Sequence, residues 1–90
     1  MNVHGYEIPP ALEAAAVDWM RAAPFAMYSL TNYIERRLPA CDELAAAGAT
    51  AGRSIVAFRA ADRLIQRQRQ WGNVSIRDRV RSPVWHWVGG

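Results

Sequence analysis

At Gly72 the spacing of the apolar residues changes from a period of about 3.6 to a period of 2. That switch predicts a helix followed by a hairpin over residues 49–88 and constrains the fold more than any other feature of the chain. In ATAGRSIVAFRAADRLIQRQRQWG, residues 49–72, successive side chains turn by about 100°. Ala57, Phe58, Ala61, Leu64, Ile65 and Gln68 then share one arc, and Arg59, Arg63, Gln66, Arg67 and Gln70 gather on the other. One side is expected to pack while the other presents guanidinium and amide groups. Thr50 is the expected N-cap, and Gly72, just past Trp71, the expected stop. Beyond it, Val74 and Ile76 alternate with Asn73, Ser75 and Arg77, and VWHWV at 84–88 is rich in β-branched and aromatic residues. RVRSP lies between them, with Ser82 and Pro83 as turn formers. Residues 73–88 therefore read as a β-hairpin with an arginine-bearing tip.

The upstream half reads as helical. Pro9 and Pro10 stand where helices begin, and Leu12, Ala15 or Ala16, Trp19 and Ala23 make an apolar stripe over residues 10–23. Pro24 stops that helix. PFAMYS, residues 24–29, is short, apolar and aromatic, which suits a single extended strand. Ser29, or Asn32 with Glu35, can cap a second helix, SLTNYIERRL, in which Leu30, Ile34 and Leu38 recur every four residues until Pro39. Asp42 to Ala47, closed by Gly48, suits a short extra helical turn. Residues 1–9 read as an N-terminal arm or short extended segment.

Ninety residues make one domain with one modest core. No apolar run approaches the roughly 18–20 residues of a membrane span. The start, MNVHGYEIPP, has neither a basic nor an apolar leader region, so no signal peptide is expected. A single cysteine, Cys41, fits a reducing cytoplasm and is expected to be a small buried thiol. All eleven basic side chains are Arg, which beside so much Ala points to a GC-rich genome. Their placement is uneven: residues 1–50 have a formal charge of −3 and residues 51–90 of +6. Such a half-chain suggests an anionic partner, most commonly nucleic acid, although a solvated face kept for solubility has the same composition.

The order helix, short strand, helix, long basic helix, hairpin resembles a winged-helix domain, the helix-turn-helix variant with a β-hairpin wing. The fold class implied is α+β, mainly α, with three main helices. The domain would span residues 10–90 behind the arm at 1–9. SLTNYIERRL stands at the second helix, RSIVAFRAADRLIQRQRQWG at the recognition helix and NVSIRDRVRSPVWHW at the wing. PACDELAAAGATAG is longer than the three- or four-residue turn of a plain helix-turn-helix. The resemblance implies a recognition helix in the major groove of double-stranded DNA, with Arg53, Ser54, Arg59 and Arg63 towards the bases and Arg67 further along. It also implies that Arg77, Arg79 and Arg81 of the wing meet phosphates or the adjacent minor groove. The function expected is that of a regulator of transcription or replication, or an accessory protein of a phage or other mobile element. A homodimer is expected because single modules read little sequence.

Other chemistry finds little footing. His4 and His86 are far apart in sequence with no second cysteine, so neither a metal site nor a Cys–His nucleophile is expected. There is no glycine-rich phosphate loop and no paired carboxylates, so no catalysis and no cofactor are expected. Trp19 reads as core. Trp71, Trp85 and Trp87 suit packing of the hairpin on the helices better than a base-stacking surface. The competing function is a protein-interaction module or inhibitor that docks its Arg-rich face on an acidic protein.

Overall fold

Proline begins the first helix because its fixed φ matches the first turn and its missing N–H is one a helix leaves unused. In a computed structural model, which describes residues 1–78 and 83–89, α1 runs over Pro10–Ala22. Ala23 is extended ahead of Pro24, and Phe25–Ala26 forms the short strand β3. Helix α2 follows at once over Met27–Glu35. Ser29, the expected cap, instead lies inside this helix. Pairing of Ala26 with Val84 holds the chain extended up to the helix start, and Ala26 becomes the N-cap without a side-chain bond.

A short helix, α3, Cys41–Ala46, occupies the long connection. Cys41 is exposed there rather than buried, because Leu44 is the residue this turn buries. Helix α4 spans Arg53–Gln70 with Gly52 as its N-cap. Thr50, the expected cap, is spent elsewhere: its N–H and hydroxyl donate to the His4 carbonyl at 2.7 and 3.0 Å. Gly72, at φ +78°, provides the left-handed residue that ends the helix.

Residues 1–9 are not a free arm. β1, Asn2–Val3, and β2, Tyr6–Glu7, form an antiparallel hairpin turned by His4 and Gly5. Both turn residues have positive φ, 49° and 83°, as a two-residue hairpin turn with the strands' own twist requires. Val3, Tyr6 and Ile8 are buried in the core. Strands β4, Val74–Asp78, and β5, Val84–Trp87, bear out the hairpin over its described residues. They join β3 in an antiparallel sheet of order β3-β5-β4. A register shift between Ile76 and Asp78 leaves Arg77 without a cross-strand partner, the mark of a bulge.

The molecule is α+β and mainly helical. One core joins Ala16 and Met20 of α1, Leu30 and Ile34 of α2, and Val56, Ala57, Ala60, Ala61, Leu64 and Ile65 of α4. The sheet adds Phe25, Val74 and Trp85 to it. On α1 the buried stripe centres on Ala16 and Met20 rather than on Trp19 and Ala23. Trp19 is half-buried against Phe25 and Tyr33, with ring centroids 5.7 and 5.3 Å away. Gln68 is the buried polar residue of α4. It accepts from the Asn73 side chain at 2.7 Å and the Asn73 N–H at 2.8 Å, while the Asn73 carbonyl accepts from Val88 at 2.7 Å. The end of α4 and the end of β5 are tied through this pair. No helix among the described residues is long and apolar enough to cross a membrane.

Candidate nucleic-acid interface

Burial of Val56 and Ala60 together with Ala57, Ala61, Leu64, Ile65 and Gln68 shows which arc of α4 packs. The buried arc is rotated from the one expected. Val56 and Ala60 move in, and Phe58 moves out to 56% exposure. The physical reason is the packing of the first thirteen residues. The β1–β2 hairpin and α1 reach α4 through Arg63 and Arg67, whose guanidinium groups bond to Asn2 and Glu13, and this ties the side of the helix that carries Val56 and Ala60 inward.

That rotation divides the candidate arginines. Arg67 is bound: its Nη1 donates to Glu13 Oε1 of α1 at 2.9 Å. Glu13 also accepts from the Met1 ammonium at 2.7 Å, and Glu7 lies 3.1 Å from the same ammonium. Burial pushes the Glu13 carboxyl up, but the hydrogen bonds and charges of the ammonium and Arg67 outweigh it and hold the group below the usual glutamate value. The ammonium is raised in turn by its bonds to Glu13 and Glu7. Arg53 is also bound. Its Nη2 donates to the Glu35 carbonyl at 2.6 Å and the Leu38 carbonyl at 3.4 Å, placing a cation at the end of α2 where the helix leaves acceptors unfilled.

The remaining candidates face solvent. Ser54 is exposed at the first turn of α4. Arg59 is half exposed, with a loose pair to Asp62 at 3.6 Å. Arg63 is exposed and donates to the Asn2 carbonyl, a neutral acceptor that orients the guanidinium without cancelling its charge. Arg69, not among the expected contacts, is also exposed, and so is Arg77 on β4. Arg79 and Arg81 lie outside the described residues.

Sequence reasoning missed the apolar part of this surface. Ile55 is 54% exposed, and with Phe58, Arg59, Arg63 and His4 it lines an open depression of about 390 Å³. On the other side of Phe58 lies an apolar groove of about 300 Å³, lined by Met27, Tyr28 and Thr31 of α2 and by Pro83. Phe58 is thus a ridge between a basic depression and an apolar groove. The position of Ile55 was readable, since the helical angle sets it among the arginines. That of Phe58 was not, since it falls at the border of the two arcs. Of the tryptophans, Trp85 is buried and Trp87 half-buried, with the Arg21 guanidinium 5.2 Å from its ring centroid. Trp71 is exposed. The three do not share one surface of the base-stacking kind.

No family model matches the chain, and comparison with curated proteins and with solved structures finds no match, so its functional reading rests on the geometry alone.

Proposed function

We propose that the chain binds double-stranded DNA as a winged-helix module, with α4 as recognition helix and the β4–β5 hairpin as wing. The observation that carries this reading is the connectivity: α1, β3, α2, α4, then a hairpin whose return strand β5 pairs with β3 between β3 and β4. Helix α3 accounts for the long connection before α4. Pro83, at the loop end of β5, and Phe58 of α4 border one groove, which supports a shared binding face for helix and wing.

Within this reading Arg59 and Ser54 are the base-facing candidates. Arg63, Arg69 and Arg77 serve the phosphates, together with Arg79 and Arg81 from the sequence. Phosphate contacts set affinity and orientation, and base contacts set preference. Arg53 and Arg67 hold the helix in place instead of touching DNA. The role is that of a small regulator of transcription or replication or a mobile-element accessory protein, acting as a homodimer where specificity demands two sites.

Titration with random-sequence duplex DNA at about 50 and about 200 mM salt tests it. Binding is expected at the lower concentration and is expected to fall steeply at the higher, with log K against log salt sloping by about −0.9 for each phosphate neutralised. Absence of binding at the lower salt refutes it. The apolar groove lined by Met27, Tyr28 and Phe58, beside the depression that carries Arg59 and Arg63, favours a second reading, docking on an acidic protein, since aromatic, Met and Arg side chains are enriched at protein interfaces. Such a module ignores DNA and holds its partner at physiological ionic strength.

A further inference from the structure

Ile55 and Phe58 stand more than half exposed on the same face as Arg59, on a helix that otherwise buries its apolar residues. Both face water in the isolated chain, although a well-packed core lies one helical turn away. The two side chains, Arg59 and Arg63 surround one depression, so an occupant must meet apolar surface and guanidinium together. In the major groove a single apolar group projects from the bases, the C5-methyl of thymine, and guanine presents the O6 and N7 acceptors that suit Arg.

Resting on the DNA reading above, we infer that Ile55 and Phe58 contact thymine methyl groups, so that preferred duplexes place thymine beside a guanine held by Arg59. Arg63 lines the depression and is braced on the Asn2 carbonyl. Its remaining N–H groups are directed to the backbone phosphates that flank such a step. The apolar contact is specific because no other base offers a methyl in that groove.

Exchanging thymine for uracil removes that methyl and leaves the pairing edge and the O4 acceptor in place. A random duplex library is selected once with the wild-type protein, and the retained pool is amplified in parallel with thymidine or deoxyuridine triphosphate. Burial of one methyl corresponds to about a fourfold gain in affinity, and of two to about fifteenfold. Wild type is therefore expected to bind the thymine pool about four- to fifteenfold more tightly. The Ile55→Ser, Phe58→Ser double variant is expected to bind both pools alike. Both side chains lie outside the core, so the variant should keep the wild-type circular dichroism and melting midpoint. Equal wild-type binding to both pools, with a normal salt slope, overturns the methyl contact while leaving DNA binding intact. A preference that persists in the double variant overturns the assignment to these residues. If neither pool binds at low salt, the DNA reading fails and the inference fails with it.

Discussion

Arginines that look equivalent in the sequence fall into two groups once their neighbours are placed, one left exposed and one bonded to fixed acceptors. Arg59 is half exposed and makes only a loose ion pair, so Arg59→Ala is expected to weaken DNA binding by about 1–3 kcal/mol while the melting midpoint stays put. Arg67 and Arg53 invert that outcome. Each donates to a fixed acceptor, and Ala at either position is expected to cost stability by about 1–3 kcal/mol through the partner left unpaired. Thermal melting and duplex titration of the three variants check the division. The Glu13 cluster adds a pH signature. Its carboxyl is held below the usual value near 4.5, so its contribution is present above that pH and is lost as pH falls through the lowered folded value. The Met1 ammonium is held above 8.0, so its contribution is complete below that pH and is lost as pH rises through the raised folded value. Between roughly pH 4.5 and 8 both are in force. Melting of Glu13→Gln should therefore show a flatter pH dependence at both ends than wild type.

Among the elements, those with a strong local signal were legible. The change of period at Gly72 located α4 and the hairpin strands, and Pro10 and Pro24 bounded α1 to within a residue or two. The starts of α2 and α4 were less so, because long-range bonds set them. Ala26 is claimed by β5, and Thr50 by the carbonyl of His4. The first hairpin was missed, since two strands of two residues each leave too short an alternation to detect. Its turn had a signal in His4-Gly5, but the decisive constraint is again distant. A Cβ on Gly5 would stand 2.3 Å from the Gly48 carbonyl oxygen, at a φ that side chains rarely adopt. Gly5→Ala is accordingly expected to lower the melting midpoint, whereas Gly52→Ala, with open space around it, should not lower it by more than the modest cost of a poorer cap.

For the whole molecule, the first eight residues belong to the same cooperative unit as the rest. Burying Val3, Tyr6 and Ile8 stabilises the fold by a gross figure of about 5–8 kcal/mol, against a net stability of about 5–13 kcal/mol for a chain this long. Removing residues 1–8 is thus expected to leave a chain at the edge of folding, seen as loss of a cooperative melting transition. The proposed DNA binding should be lost with it, although every arginine remains in the chain. The two oppositely charged halves of the sequence are likewise not two lobes, since acidic Glu13 closes on basic Arg67.

Helix α4 is braced from outside its own neighbourhood. Asn2 holds Arg63, His4 holds the loop before the helix, and Glu13 holds Arg67. Only Glu13 acts through its side chain; Asn2 and His4 act through backbone carbonyls, so the path of the β1–β2 hairpin, rather than the identity of those two residues, braces α4. A change that reshapes the first hairpin or removes the Glu13 carboxylate is consequently expected to alter the tilt of α4 while every exposed residue of that helix stays unchanged. Substitutions on the surface of α4 alone would miss that effect, whereas Glu13→Gln and Gly5→Ala reach the helix from outside it.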